Sequence, residues 1–329
     1  MKTVAILGAG TAGTALAQVA AGNGHSVRLW GIEAATLEEI RQQRSNRRYL
    51  PGISLHEGIE ACEKLAQAIA HAEVVIISVP AQAMRTVARA AASHLRDGPL
   101  VLNVAKGLEE GTQLRMSQVL IQELGADAAA RIASMGGPAL AKEFVRGVAT
   151  AVVVASEPLG AAATIQEALQ NKHFKVEASA DVVGVELGAA FKNPYAIALG
   201  MCDGLGCGAN AKAFLGTLAL AEMEALITAL GGQRRTVYGL AGLGDLLTTG
   251  YSPLSRNRTF GEKLGAGSDW REFLRTQTVE GVAACRTGRE LAARAGVRAA
   301  LLEIVWESLL GEKRPGDALH RFLREFAYR

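Results

Sequence analysis

Short apolar runs alternate with amphipathic stretches through the first half of the chain. The runs are rich in β-branched residues and suit strands that are covered on both faces of a sheet. They lie at residues 4–7, 27–30, 74–79, 100–104, 132–135 and 150–154, with helical patterns between them at 11–21, 81–94 and 114–124. This alternation predicts an α/β fold with a mainly parallel, doubly wound sheet and right-handed crossovers.

The pattern changes near residue 180. Beyond it the strand pattern almost disappears, and long helical patterns follow at residues 181–201, 211–230, 255–264, 288–294 and 299–310. Ser179 or Asp181 is suited to cap the first of these helices. We therefore expect two domains, at residues 1–180 and 181–329, and the second domain is expected to be all-helical.

Composition agrees with a two-domain protein, because 329 residues are more than one hydrophobic core usually spans. The net charge of +3 is too small to indicate a nucleic-acid groove or a membrane-binding face, so an anionic partner should be small. The four cysteines are scattered without a metal-ligand spacing, which favours a reduced, cytoplasmic protein without zinc. No signal peptide or membrane-spanning run is evident.

A glycine-rich turn follows the first predicted strand. The stretch VAILGAGTAG places Gly8, Gly10 and Gly13 as G-x-G-x-x-G at the start of a predicted helix. The first glycine would turn the chain, the second would let backbone N–H groups approach a pyrophosphate, and the third would let the helix pack closely. The alternative is a glycine turn without a ligand. In this context the pattern favours a Rossmann-like dinucleotide-binding domain.

The residues after the second predicted strand bear on which dinucleotide is bound. An acid at the end of this strand can bind the ribose 2′-hydroxyl of NAD, whereas an arginine nearby can accommodate the 2′-phosphate of NADP. The strand ends at Trp30 and is followed directly by neither residue type, so Glu33 is a weak argument for NAD. The expected cofactor is therefore NAD or NADP.

Two lysines are candidates for the chemistry. Lys106 follows the fourth predicted strand at its carboxyl end, where open α/β sheets bind ligands, although a solvated strand cap is the alternative. Lys192 lies in VGVELGAAFKNPYAIALG, with Glu186, Asn193 and Tyr195 nearby. An ammonium group in such a mostly apolar setting is costly without a partner, and desolvation suits a lysine to proton transfer. The alternative is a lysine that snorkels from a core helix.

A charged cluster lies in the stretch GLGDLLTTGYSPLSRNRTFG. Arg256 offers a rigid fork of donors suited to phosphate, and Ser255 and Asn257 add neutral hydrogen bonds beside a predicted helix N-terminus. Asp245 could hold a lysine in place. The alternative is an exposed capping serine with a charged first turn. No histidine–aspartate relay is evident, which disfavours a histidine-based dehydrogenase.

A series of motifs covers nearly the whole chain: ILGAGTAGTALA, NRRYLPGISL, VVIISVPAQAM, NVAKGLE, GPALAKEF, GVELGAAFKNPYAIALG, GLAGLGDL, SRNRTFG and VEGV. In these motifs, in their order and in their approximate spacing, the chain resembles the bacterial-type NAD(P)-dependent glycerol-3-phosphate dehydrogenases. The resemblance implies a Rossmann-like N-terminal domain and an all-α C-terminal domain like that of 6-phosphogluconate dehydrogenase. It also implies the reduction of dihydroxyacetone phosphate to sn-glycerol 3-phosphate, which feeds phospholipid synthesis.

The resemblance further implies a role for each candidate residue. Lys192 would donate the proton in reduction, Lys106 would polarise or orient the substrate, and Asp245 would pair with the lysines. The implied substrate contacts are Lys106, Gly137, Lys192, Asp245, Ser255, Arg256 and Asn257. The implied cofactor contacts are Gly8, Gly10, Thr11, Ala12, Gly13, Lys106, Ala141, Arg256 and Glu280. No metal is expected, and the expected partner is a small phosphorylated molecule, without nucleic acid or membrane insertion; a homodimer is an open expectation.

The chain departs from the family pattern at several places. Thr11 and Ala12 stand where a serine and an aromatic residue usually follow the second glycine, and Ala139 stands where a hydroxyl residue is usual. Gly31 or Ile32 occupies the place of a common arginine or histidine. Two alternatives therefore stay open: a related lysine-dependent dehydrogenase that acts on a carboxylate, of the β-hydroxyacid dehydrogenase or ketopantoate reductase type, and a catalytically idle nucleotide-binding sensor.

Overall fold

The computed structural model describes residues 1–95, 98–310 and 315–325. The chain forms two compact units, Met1–Glu186 and Leu187–Arg329. A domain is defined by independent folding as well as by compactness, so the predicted ranges 1–180 and 181–329 stay a prediction. No helix within the described part of the chain is both long enough and apolar enough to cross a membrane.

The first unit is built on one large sheet. Among the described residues its strands are β1 (Thr3–Leu7), β2 (Ser26–Trp30), β3 (Ile59–Cys62), β4 (Val74–Ile77), β5 (Leu100–Asn103), β6 (Ile132–Gly136), β7 (Thr150–Ser156) and β8 (Phe174–Ser179). Their order across the sheet is β3-β2-β1-β4-β5-β6-β7-β8. Neighbouring strands are parallel except β6 and β7, which are antiparallel. The prediction of a mainly parallel sheet is confirmed.

The helices of this unit connect successive strands. They are α1 (Thr11–Gly22), α2 (Ala34–Gln43), α3 (Leu65–Ile69), α4 (Met84–Leu95), α5 (Met116–Leu124), α6 (Ala141–Phe144) and α7 (Leu159–Leu169), with 3₁₀ turns at Ala81–Ala83 and Ala126–Arg131. Helix α6 lies in the connection from β6 to β7, the two neighbouring strands that run antiparallel.

Alternate strand residues face two separate hydrophobic clusters. In β1, Val4 and Ile6 join one cluster with residues of α1 and α7, and Ala5 and Leu7 join the other with residues of α3, α4 and α5. The sheet is therefore covered on both faces, which explains its near-continuous apolar runs. The sequence pattern did not predict the outermost strands β3 and β8, since both alternate buried with exposed positions and lack such a run.

The second unit is helical over its described residues. Its helices are α8 (Val182–Gly204), whose first residues belong to the first unit, α9 (Gly208–Ala229), α10 (Arg234–Val237), α11 (Asp245–Tyr251), α12 (Arg256–Gly265), α13 (Trp270–Thr276), α14 (Glu280–Ala295), α15 (Ala300–Leu310) and α16 (Pro315–Glu325). A π-helical turn spans Leu240–Gly244. Asp181 caps α8, because Gly184 N donates to Asp181 Oδ1 at 2.8 Å. The predicted all-helical character is confirmed for the described residues.

Helices α8 and α12 pack at backbone contact through glycines. A Cβ atom on Gly200 would lie 2.1 Å from the carbonyl oxygen of Arg258, and one on Gly261 would lie 2.1 Å from that of Ile197. Only glycine permits this approach without a backbone shift. The close crossing fixes the helix that carries Lys192 against the helix that begins at Arg256.

Candidate active site

The glycine loop at the carboxyl end of β1 has a shape suited to a dinucleotide. Gly8 has φ +125°, and a Cβ atom on Gly13 would lie 1.9 Å from the oxygen of Gly8, whereas a Cβ atom on Gly10 would meet nothing within 4 Å. The open space at Gly10 lies at the N-terminus of α1, whose first turn contains no acidic residue. Backbone N–H groups and a positive helix end therefore face a cradle that a pyrophosphate can fill.

The segment after α2 is anchored to the glycine loop by hydrogen bonds. The sequence analysis did not identify this contact. Asn46 Nδ2 donates to the oxygen of Ala9 at 3.0 Å and to Thr14 Oγ1 at 2.9 Å, and Thr11 Oγ1 donates to the oxygen of Tyr49 at 3.1 Å. Asn46 is buried, so its two bonds hold the NRRYLPG motif in place. Ala12 is exposed beside this loop.

Lys106 and Gly137 meet at the carboxyl edge of the sheet. They follow β5 and β6, which are parallel neighbours, and Lys106 Nζ donates to the oxygen of Gly137 at 2.7 Å. Gly137 has φ +108°, a conformation that favours glycine. Ala141 begins α6 shortly afterwards. The structure thus brings together two of the residues predicted to bind substrate, on the same edge as the glycine loop.

Glu186 has different surroundings from those expected. Its carboxylate accepts hydrogen bonds from Ser117 N and Arg115 Nη1, each at 2.8 Å, and from Ser117 Oγ at 2.6 Å and Ser134 Oγ at 2.9 Å. These contacts all lie within the first unit and satisfy a buried carboxylate. Glu186 is therefore a structural anchor of α5 and β6, and its expected place beside Lys192 was wrong.

Lys192 is a buried ammonium group held by two partners in the second unit. Its Nζ donates to Asp245 Oδ1 and, at 2.8 Å, to Thr249 Oγ1. All three side chains are buried, and that of Lys192 is 7% exposed. A buried charge needs a compensating charge and hydrogen bonds, and this site supplies both. The predicted pairing of Asp245 with a lysine is therefore present at Lys192.

The sequence around α11 explains how Asp245 reaches this position. The π-helical turn ends directly before Asp245, and a Cβ atom on Gly188 would lie 2.7 Å from the oxygen of Ala241. Helix α8 therefore lies against the turn one helical turn before Lys192. Thr249 was missed by the sequence analysis, although its spacing of four residues from Asp245 places both side chains on one face of α11.

The charged cluster at α12 separates into two arginines with different surroundings. Arg258 is held by Asp203, with Arg258 Nε at 2.8 Å from Oδ2, and by Glu262. Arg256 is exposed and forms no ion pair with any carboxylate in the described ranges. Ser255 caps the helix, since its Oγ accepts from Arg258 N at 3.2 Å. At this end of α12, positive charge therefore remains available to an anion at Arg256 and at the first backbone N–H groups of the helix.

Asn257 joins three helices through its amide. Its Nδ2 donates to Asn193 Oδ1 at 2.9 Å, and its Oδ1 accepts from Gly281 N at 2.9 Å. Asn193, next to Lys192, keeps a buried Nδ2 that lacks a hydrogen-bond partner within the described part of the chain. Glu280 begins α14 beside this junction. The second unit therefore places five predicted residues (Lys192, Asp245, Ser255, Arg256 and Asn257) on α8, α11 and the start of α12, in addition to Glu280.

Two family profiles match the chain over most of its length. One describes the N-terminus of NAD-dependent glycerol-3-phosphate dehydrogenase and matches residues 3–162; the other describes the C-terminus of the same enzyme and matches residues 181–320. The chain belongs to the NAD-dependent glycerol-3-phosphate dehydrogenase family. Among the described residues no cluster of side chains suits a metal ion.

Individual members of the family are similar over nearly the full length. Glycerol-3-phosphate dehydrogenase [NAD(P)+] of Chlorobium chlorochromatii is 40% identical over 96% of both chains, and that of Anaeromyxobacter sp. strain K is 42% identical over 95% of both. A crystal structure of glycerol-3-phosphate dehydrogenase from Coxiella burnetii has a TM-score of 0.91 and 35% identity, over 98% of this chain and 99% of that one.

More distant structures share the fold alone. A ketopantoate reductase from Ralstonia eutropha has a TM-score of 0.63 at 17% identity, and a D-mandelate dehydrogenase has 0.60 at 12%. The first of these structures is of the ketopantoate reductase type, which is among the alternative enzymes that the sequence left open. The much greater likeness to members of the glycerol-3-phosphate dehydrogenase family disfavours them.

Proposed function

We propose that this protein interconverts dihydroxyacetone phosphate and sn-glycerol 3-phosphate with NAD(H) or NADP(H), and that it supplies glycerol phosphate for phospholipid synthesis. Family membership supports the reaction class. The observation that carries the proposal is the buried ammonium group of Lys192, held by Asp245 and Thr249. A buried lysine held in this way is suited to proton transfer, whereas a lysine that serves only solubility would be exposed.

The proposed role of Lys192 follows from its surroundings. NADH or NADPH, when bound, would supply a hydride to the ketone carbon. As charge grows on the carbonyl oxygen, the Lys192 ammonium stabilises it and donates the proton, a general acid contribution of about 10²–10⁴-fold. Asp245 and Thr249 fix the position of Nζ. In the oxidation of glycerol phosphate, Lys192 accepts the proton instead.

The proposed phosphate site is the start of α12. Arg256 supplies a guanidinium without a carboxylate partner in the described ranges, and the first backbone N–H groups of the helix add donors. Ser255 and Asn257 shape this end of the helix through their own hydrogen bonds. Binding energy at the phosphate, remote from the carbonyl, can be used to orient the reacting carbon.

The first unit has the proposed cofactor role. Gly8, Gly10, Thr11, Ala12 and Gly13 form the cradle at the start of α1. Further proposed contacts to cofactor or substrate are Lys106, Gly137, Ala141, Arg256 and Glu280. The support for Lys106 and Gly137 is their direct hydrogen bond at the carboxyl edge of the sheet.

Steady-state kinetics with dihydroxyacetone phosphate test the proposal. We expect Lys192→Ala to lower kcat by about 10²-fold or more, with little change in cofactor affinity, because the proton donor is lost. We expect Arg256→Ala mainly to raise the KM for the substrate, because a charged contact to phosphate is lost. Absorbance of the reduced nicotinamide measures both.

A matched control is Arg271→Ala, which removes an exposed guanidinium from α13 of the same unit and should leave both constants near wild type. Near-normal turnover of Lys192→Ala would refute the role of Lys192. Turnover of a keto acid but of no phosphorylated ketone would favour the carboxylate alternative. Tight cofactor binding without turnover of either substrate would favour a sensor.

Location and assembly are also proposals. The free cysteines and the use of nicotinamide nucleotides support a cytoplasmic protein. A homodimer is supported by the half-exposed apolar side chains of Leu247, Tyr251 and Leu254, which are close together along the chain at one end of α11. Light scattering of the purified protein tests the dimer, and a monomer at micromolar concentration would contradict it.

A further inference from the structure

The carboxylate of Glu33 lies where the chain leaves β2, beside the glycine loop. Leu7 and Trp30 are register partners at the ends of β1 and β2, and Gly8 N donates to the oxygen of Trp30 at 2.8 Å. A Cβ atom on Gly31 would lie 2.8 Å from that of Ala9. The segment that leads to Glu33 therefore passes directly along the proposed cofactor cradle.

A hydrogen-bond network holds Glu33 in this position. Tyr49 Oη donates to Glu33 Oε1 at 2.7 Å, and Thr36 Oγ1 donates to Oε2 at 2.9 Å. Tyr49 is itself tied to the start of α1, because its carbonyl oxygen accepts from Thr11 Oγ1. The hydrogen bond from Tyr49 keeps the pKa of Glu33 below its usual value, as do Thr36 and the Arg48 guanidinium. Glu33 is thus a fixed anion at neutral pH.

Two arginines on the segment after α2, Arg47 and Arg48, pair with carboxylates. Arg48 Nη1 lies 3.0 Å from Glu33 Oε2, and Arg47 Nε lies 3.0 Å from Glu39 Oε1. The residue before Glu33 is Ile32, which is 86% exposed and carries no charge. In dinucleotide-binding folds an acid near the end of the second strand accepts a hydrogen bond from the ribose 2′-hydroxyl, whereas a 2′-phosphate needs a cation there.

From this geometry we infer that Glu33, positioned by Tyr49 and Thr36, makes the protein prefer NAD(H) to NADP(H). The inference rests on the proposed function and names the cofactor that the same site takes. A 2′-hydroxyl can donate to Glu33, which is 31% exposed. A 2′-phosphate would place a second anion beside the first, and the guanidinium of Arg48 is already compensated by Glu33.

The test is equilibrium binding of NADH and NADPH to the intact protein, followed by nucleotide fluorescence and independent of turnover. We expect wild type to bind NADH at least about tenfold more tightly than NADPH, because the Glu33 carboxylate would repel the 2′-phosphate of NADPH. Glu33→Gln keeps the size of the side chain and removes its charge. It should reduce the preference at least about tenfold, mainly by tighter binding of NADPH.

Two further variants make the result specific. Glu38→Gln removes a carboxylate from the exposed face of α2, the helix that follows Glu33, where Glu38 pairs with Arg41, and should leave the preference unchanged. Ile32→Arg adds a cation at an exposed position without disturbing the core, and should tighten NADPH binding about tenfold. It also keeps the inference testable if Glu33→Gln folds poorly.

The outcomes separate this inference from the proposed function. Equal or tighter binding of NADPH by wild type, or an unchanged preference in both Glu33→Gln and Ile32→Arg, would overturn the role of Glu33 while the dehydrogenase proposal stood. Binding of neither nucleotide would overturn both. Tight NADPH binding that is lost in Arg48→Ala would overturn the inference and would show that Arg48 exchanges Glu33 for the 2′-phosphate.

Discussion

Glu222 is a buried acid outside the proposed chemistry, and it predicts how stability depends on pH. Its Oε1 accepts from Leu301 N, at the N-terminus of α15, at 2.8 Å. Its Oε2 and the nearby Tyr195 Oη are buried and have no hydrogen-bond partner among the residues that the structure describes. Burial raises the pKa of Glu222 to about 7, although the backbone N–H groups at the start of α15 oppose the rise.

The sign and size of the effect follow from linkage. In the unfolded chain Glu222 loses its proton near its ordinary pKa of 4.5, whereas in the folded protein it keeps the proton until about pH 7. Between these values the folded state binds more protons, so the free energy of unfolding falls as pH rises. At about 1.4 kcal/mol per pKa unit, the loss is about 3 kcal/mol and is complete above pH 7.

Glu222→Gln should remove this dependence. The amide can accept from Leu301 N and donate to Tyr195 Oη, as the protonated acid can, but it does not ionise. The variant and wild type should have similar stability near pH 4.5, and above pH 7 the variant should be more stable by about 3 kcal/mol. Urea unfolding from pH 4.5 to 8.5 measures the difference, with fluorescence of Trp270 and Trp306 reporting on the second unit.

A surface control separates burial from net charge. Glu272→Gln removes a carboxylate whose side chain is 52% exposed on α13, and its effect should stay within about 0.5 kcal/mol at every pH. The reasoning would be refuted if the stability difference between Glu222→Gln and wild type stayed constant from pH 4.5 to 8.5. A lower stability of the variant above pH 7 would refute it equally.

Two further substitutions test the packing and the lysine site. Gly261→Ala should destabilise the protein by about 1–3 kcal/mol in urea unfolding, because its Cβ would lie 2.1 Å from the oxygen of Ile197. The control is Gly216→Ala, whose Cβ would make only an ordinary contact at 3.7 Å. This variant should be neutral or stabilising. Thr249→Val should lower stability by about 1–3 kcal/mol and lower kcat, since Lys192 loses an acceptor in a buried site. Thr249→Ser keeps the hydroxyl and should retain most of both; equal losses in the two Thr249 variants would contradict a role for that bond.

Sequence periodicity predicted the elements that are buried on all sides. Strands such as β1 and β4 are continuous apolar runs because both faces of the sheet are covered. The helices α8 and α9 could be recognised because they are long, with 23 and 22 residues. The edge strand β3 was missed because an exposed residue interrupts its apolar run, and α10 was missed because four residues carry too little helical periodicity. The antiparallel direction of β7 is not encoded in the alternation of strands and helices.

At the lysine site, the residue types in the sequence predicted that Lys192 needs a partner, but they did not predict the full set of partners. A lysine among small and apolar residues requires a counter-charge, so a partner for Lys192 could be expected and Asp245 could be suggested. Glu186 was an equally plausible neighbour in sequence, yet it lies six positions before Lys192 on the helix. At about 100° per residue, this spacing directs the two side chains to different faces. Thr249 could be identified only once α11 was known to be a helix.

The two arginines at α12 also show that the sequence does not reveal which charged side chains are paired in the fold. In sequence, Arg256 and Arg258 are equivalent members of one basic cluster. On a helix they lie about 200° apart, so only one of them can face α8, and that one, Arg258, is neutralised by Asp203. The other, Arg256, then faces away from that carboxylate and is exposed, which supports its proposed contact to phosphate. A cluster of like charges in a sequence therefore predicts a phosphate site only after the helix has divided it into a structural face and a free one.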